Sequence, residues 1–493
     1  MLLPRARPED HDIDSAAIAA FFDGLGQTGG VHGAIVMRDG AVIGEGWWQP
    51  YGPEVPHSMY SVSKSFTSVA IGLAVAEGRL SIDDRVIDLL PEDAPAEASR
   101  RLASLRVRHL LTMTTGHAVD SVESLHLAVD GGWARAILAT EVQYEPGEVF
   151  VYNSGATYLL SAIITKLTGL GLLEYLEPRL LAQLGIEGAT WQESPEGIAT
   201  GGWGLSLTTE QLAVFGEFCR VEGQWAGAQL VPVEWMRAAT AFQIATDGPD
   251  RDDTAPDWRE GYGYQFWRNR HGYRADGAFG QFAVVIPEER IVVALTSGLP
   301  DAAVLLDLIW QHLLPGAVAA PVTSGPLALP MPVGAAHSEP AQRTLSFPPQ
   351  PTGALRRFAL DGSPLDLVNL AGTHSIPVGH GRWAAGEVTH RGVRVPVAAA
   401  GAWVDATTWV AHIWLVETPF RANLTLTDDG KDVQLDAALN VSFGPVEFAA
   451  LKGSRSSGTR ISGTPERAGS GADWTLGVQI TEAGAVTVEL SEG

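Results

Sequence analysis

Residues 31–48, VHGAIVMRDGAVIGEGWW, set two apolar runs on either side of Asp39-Gly40. That dipeptide accepts the positive φ of a tight turn, so the segment predicts a β-hairpin. A second hairpin is predicted over 278–297, where FAVVIPEERIVVALTS puts a Pro-Glu-Glu-Arg turn between two β-branched runs. The stretch between them has a different period. Within 61–77, Val62, Phe66, Val69, Ala70, Leu73 and Ala76 cover most of a helical circumference, which predicts a largely buried helix that Gly78 ends. More helices are predicted over 155–169, 172–185 and 301–313. Hairpins at both ends of the first 315 residues, with helices in the middle, pack most simply as one antiparallel sheet flanked by helices with a helical subdomain, an α+β fold. The start of the 61–77 helix then meets the strand near 275–285 if both border a cleft.

The pattern changes after this region. Residues 315–350 are dominated by Pro, Gly, Ala and Ser and read as a linker. Beyond it come short strands at regular spacing, such as TTWVAHIWLVE and RANLTLTDDGKDVQLDAAL, with turns at Asp429-Gly430 and Ala483-Gly484. The expected organisation is a first domain over 1–318, a linker over 319–350 and an all-β barrel or sandwich over 351–493. The aromatics of this module, Trp383, Trp403, Trp409 and Trp414, are expected in its core.

Composition narrows the function. The 493 residues carry a formal net charge of −24, which disfavours nucleic acid and anionic membrane surfaces as partners. The one cysteine, Cys219, precludes an internal disulfide and lies in an apolar stretch, as a small buried hydrophobe would. No apolar run is long enough to span a bilayer, and the first residues lack a secretory pattern, so a cytoplasmic location is expected. The histidines of the β module lack metal spacing; neither a metal nor a cofactor is expected.

Three short elements carry candidate chemistry. Ser61-Val62-Ser63-Lys64 puts a serine at a helix start and a lysine one turn on, on the same face. A serine needs an adjacent base to act as a nucleophile, and a lysine serves if burial lowers its pKa. Lys64 is one of only four lysines and begins an apolar helix. The same residues also fit an N-cap serine with a lysine snorkelling to solvent. The second element, Tyr152-Asn153-Ser154 ahead of the 155–169 helix, offers a phenol and two hydrogen-bonding side chains, although a tyrosine there also serves a purely structural role. The third is Ala275-Asp276-Gly277-Ala278 at a strand entry, small enough for a substrate to approach the backbone; a backbone N–H here, with that of Ser61, would form an oxyanion hole.

Together these elements resemble the serine β-lactamase and penicillin-binding-protein superfamily, in particular its branch of class C β-lactamases, DD-peptidases, family VIII esterases and 6-aminohexanoate-dimer hydrolases. The resemblance covers roughly residues 15–315 and includes MYSVSKSFTSVAIGLAVAEGRLSIDDRVIDLLPE, LRVRHLLTMTTG, YEPGEVFVYNSGATYLLSAIITKLTG and GGWGLSLTTEQLAVFGEF in the family's order. It implies that Ser61 is acylated, that Lys64 and Tyr152 move its proton, and that the Ser61 and Ala278 amides hold the oxyanion. It implies substrate contacts from Asn153, Ser154, Asp276 and Gly277. The sequence departs from the family at two places. Ser154 stands where the Tyr-x-Asn motif has asparagine, and Ala275 stands where the family has a cation that recognises a carboxylate. Asp276 instead puts an anion near the substrate, with His271 and Arg274 as the nearest alternative cations. The C-terminal module resembles the lipocalin-like β-domains appended to some members.

The activity expected is hydrolysis of a carboxylic ester or amide of a small-molecule or peptide-like substrate. An acyltransferase or peptide cyclase would use the same acyl-enzyme, and a non-catalytic penicillin-binding-like scaffold would keep only the fold. Residues 118–135 and 246–260 are expected to border the cleft.

Overall fold

The computed structural model describes residues 3–127, 132–246, 255–314, 327–335, 343–346, 357–360, 365–369, 372–390, 393–430, 432–447, 451–455, 477–480 and 486–489. The central sheet has six antiparallel strands: β1 (Val31–Arg38), β2 (Ala41–Trp47), β3 (Trp267–Asn269), β4 (Gly272–Gly277), β5 (Gln281–Ile286) and β6 (Ile291–Ser297). Their order is β2-β1-β6-β5-β4-β3, so the N-terminal hairpin and the strands near residue 290 meet at the β1–β6 pair, with Val36 opposite Val293. Asp39 and Gly40 turn the first hairpin with φ of 52° and 81°, the paired positive values that match the twist of the flanking strands.

Both faces of the sheet are covered, and period-two alternation sorts the side chains between them. Ala34, Val36, Val284, Val293 and Leu295 pack in the core that includes Phe21 of α1 (Ser15–Gln27) and Leu306. Ile35, Met37, Ala283, Val285 and Val292 join the larger core with α2 (Val62–Ala76), α3 (Ser154–Thr168) and α4 (Thr209–Arg220). The last helix, α5 (Ala303–His312), carries Leu306 and packs against α1. Cys219 is buried within α4. The helix expected over 172–185 is broken by a π turn at Glu177–Leu181; Pro178 lacks the N–H that a regular helix would use there. No single helix among the described residues is long and apolar enough to cross a membrane.

The C-terminal region is all-β. Its main strands, β7 (Val393–Trp403), β8 (Thr408–Leu415), β9 (Arg421–Asp428) and β10 (Val433–Leu439), lie in an eleven-stranded sheet. Among the described residues its pairings form an open path with no closed barrel. Trp403 and Trp409 are in its core; Trp414, also on β8, instead joins the core around α1. The two regions are therefore packed together. Hydrogen bonds from Ser58 N–H to Glu417 O (2.8 Å) and from the Tyr51 hydroxyl to Thr418 O (2.8 Å) reinforce this contact. Within the expected linker, residues 327–335 are not a bare tether: Leu329 is buried and its N–H donates to Gln49 O.

Candidate active site

The chain enters α2 through Tyr60, held at φ 48°, with the Met59 N–H bound to Leu205 O. Ser61 occupies the N-cap position but its side chain makes no capping bond. Its Oγ instead accepts a hydrogen bond from Lys64 Nζ at 3.0 Å. Lys64 does not snorkel: it is 1% exposed. Its Nζ also donates to Ser154 Oγ (3.2 Å) and Gly202 O (2.8 Å), and lies 4.7 Å from the centre of the Tyr152 ring. Burial lowers the Lys64 pKa to about 8, against the opposing pull of the Asp120 and Asp276 carboxylates. Gly202 permits this geometry, because a Cβ there would stand 3.0 Å from Ser154 O and 3.4 Å from Nζ.

The second element divides its labour. Tyr152 lines the cavity beside Ser61, its ring stacked on Trp267 at 5.8 Å. Ser154 lines it too, at the first position of α3. Asn153 does not. Its Oδ1 caps α3 by accepting from Ala156 N–H and also accepts from Ser121 N–H and Oγ, while Nδ2 donates to Thr115 Oγ1. The expectation of a substrate contact from Asn153 is thus corrected, since its polar atoms are already engaged away from the cavity.

The third element is rearranged in the same way. Asp276 faces the cavity but is paired with Arg274, whose Nε donates to it at 2.7 Å. Arg274 is fully buried, with its guanidinium over the Trp258 ring. His271 packs against Trp310 and does not line the cavity. Neither alternative cation therefore reaches the substrate space. Gly277 also lies outside it. A Cβ at 277 would sit 2.2 Å from Met59 O, so this glycine lets β4 abut the segment leading to Ser61. Ala278 lines the cavity with Ser61.

The cavity they surround measures about 740 Å³ and is walled largely by aromatic rings. A model of the family described as Beta-lactamase matches residues 18–313, more than half of the chain. The chain belongs to the beta-lactamase family. It is 26% identical over 297 residues to a 6-aminohexanoate-dimer hydrolase of Paenarthrobacter ureafaciens, covering 54% of this chain and 72% of that one. It is 26% identical over 368 residues to penicillin-binding protein 4 of Amycolatopsis lactamdurans, covering 66% and 92%. A solved Bacillus anthracis structure, whose name assigns it to the 6-aminohexanoate-dimer hydrolases, shares the fold with a TM-score of 0.50 and 22% identity, over 59% of this chain and 81% of that one.

This beta-lactamase family member also holds site residues that its sequence left unassigned. Asp120 lines the cavity and accepts from the N–H groups of Ser154 (2.8 Å), Gly155 and Val122. A carboxylate is well placed there, at the positive end of α3. It falls in the expected border 118–135, as Trp258 falls in 246–260, but nothing in either stretch singled them out. Residues 128–131 and 247–254 of those borders lie outside the described residues. Phe443, from the C-terminal module, completes the wall.

Proposed function

We propose that this protein is a serine hydrolase that cleaves carboxylic esters or amides through an acyl-Ser61 intermediate. The observation that carries the reading is the 3.0 Å bond between Ser61 Oγ and a buried lysine whose pKa is lowered to about 8. In its neutral form Lys64, with Tyr152, takes the Ser61 proton as Oγ attacks the substrate carbonyl. The negative oxygen is held by the backbone N–H groups of Ser61 and Ala278. The leaving group takes a proton through Tyr152 and departs, and water then attacks the acyl-enzyme to regenerate Ser61. Similarity to a named dimer hydrolase supports water as the acceptor.

The substrate space supports a neutral or amine-bearing acyl group over an anionic one. Among its described lining residues there is no Arg, Lys or His. Ser61→Ala should abolish turnover of p-nitrophenyl esters and covalent labelling by a fluorophosphonate; full activity in that variant would sink the proposal. Turnover of the anionic β-lactam nitrocefin should be poor beside that of the neutral esters, and efficient turnover would contradict the substrate reading.

A further inference from the structure

Two aromatic residues flank the proposed oxyanion hole, and both have unusual backbones. Tyr60 precedes Ser61 with φ 48°, and Phe279 follows Ala278 with φ 64°. A bulky L-residue in this region is strained and persists where its surroundings hold it. Their backbones are anchored within the first region: Tyr60 O accepts from Ser63 Oγ at 2.6 Å, and Phe279 O accepts from Ser297 Oγ at 2.6 Å. Their rings are held from elsewhere. Phe420 of the C-terminal module meets Tyr60 at 6.5 Å and Phe279 at 5.8 Å between ring centres, close to perpendicular in the first case. Phe443, from the same module, meets them at 5.7 Å and 4.7 Å. Tyr60 and Phe420 thereby join the core of the β module, and Phe279 packs against it.

We propose that Phe420 and Phe443 are positioning residues of the active site: by gripping the Tyr60 and Phe279 rings, they hold the two left-handed residues that orient the Ser61 and Ala278 amides. The inference rests on the acyl-Ser61 reading. It gives the C-terminal module a part in catalysis beyond tethering. It also accounts for Phe443, a large apolar side chain that is 56% exposed at the cavity wall. Phe420 is fully buried and serves as the fixed side of the grip.

The test uses the full chain with Phe443→Ala, Phe443→Tyr and Phe420→Leu. The readouts are the rate of Ser61 labelling by a fluorophosphonate, kcat and KM for p-nitrophenyl acetate, and the melting temperature. A displaced oxyanion donor should lower the labelling rate and kcat of Phe443→Ala by roughly tenfold. KM should stay within about twofold, because the loss falls on the transition state. Phe443→Tyr should restore the rate, and Phe420→Leu, which keeps the site apolar, should show the same split with a partial loss. Unchanged labelling in Phe443→Ala, or a rise in KM alone, would overturn the positioning role. A wild-type protein that is not labelled at all would overturn the acyl-Ser61 reading and this inference with it. A labelled wild type with unaffected variants would overturn this inference alone.

Discussion

Lys64 should give the enzyme a distinctive pH profile. Its amine titrates near 8, below the ordinary lysine value of 10.5, chiefly because burial disfavours the ammonium. At pH 7 an unshifted lysine is roughly 0.03% free base, whereas one at 8 is about 10%, a gain of about 300-fold. If that amine takes the Ser61 proton, labelling of Ser61 should rise about tenfold per pH unit and level off near pH 8. Lys64→Arg keeps a cation but removes the base, since a guanidinium stays protonated. Its rate at pH 8 should fall by on the order of 10³-fold and the break should vanish. The assay is a set of fluorophosphonate time courses from about pH 5.5 to 10, with mass spectrometry of the modified serine. A wild-type break far from 8, or a break near 8 that survives in Lys64→Arg, would refute the assignment. The same shift has a stability sign. Between pH 8 and 10.5 the unfolded chain binds a proton that the folded chain has lost, so Lys64 makes stability rise with pH across that window. Below 8 its burial cost is fully present, about 3 kcal/mol.

Gly202→Ala should lower kcat by roughly tenfold in the ester assay, because the new Cβ meets Ser154 O at 3.0 Å and Lys64 Nζ at 3.4 Å, and relieving this shifts the Gly202 backbone whose own carbonyl accepts from Nζ. Asp276→Ala removes the carboxylate partner of a fully buried guanidinium; the expected loss is about 3 kcal/mol, read as a lower melting temperature, and an unchanged melt would contradict the pairing. His57 donates from Nδ1 to Ser58 O and so accepts at Nε2 from His32 Nδ1, 3.0 Å away. Burial holds its pKa near 4. The unfolded chain binds a proton between pH 6.5 and 4 that the folded chain does not, so stability falls as pH drops through that range, by up to about 3 kcal/mol. His57→Gln should flatten this acid limb in melts taken across it.

The sheet and its hairpins were legible because alternation and turn chemistry are local signals. Asp39-Gly40 demands one geometry, and the apolar run before it is buried along nearly its whole length. The Ser61–Lys64 pair was legible because helical spacing alone puts the two on one face. Asn153 and Gly277 were misassigned for a common reason. Both lie beside lining residues, and a one-residue step along the chain points the next position away from the cavity. Asn153 spends its oxygen on the α3 cap, and Gly277 is used for backbone approach to Met59. Asp120, Trp258 and Phe443 reach the site from separate short segments, Trp258 from a single 3-10 turn, and no periodicity records where such a segment returns.

Charge at the substrate is likewise a property of partners rather than of residue type. Read along the chain, Asp276 puts an anion beside Ala275, the position where the resemblance implies a cation, and so points to neutral or amine-bearing substrates. In the fold, Arg274 lies two residues back on the same strand and on the same face. It neutralises Asp276 from within the aromatic stack of Trp258, Trp267 and Phe282. Asp120 is similarly taken up by the N–H groups at the start of α3. Both carboxylates therefore face the cavity with much of their field already answered, and both still act on Lys64 to hold its pKa from falling further. Their main electrostatic client is then Lys64, and what disfavours an anionic substrate is the absence of a cation among the described lining residues rather than an open carboxylate.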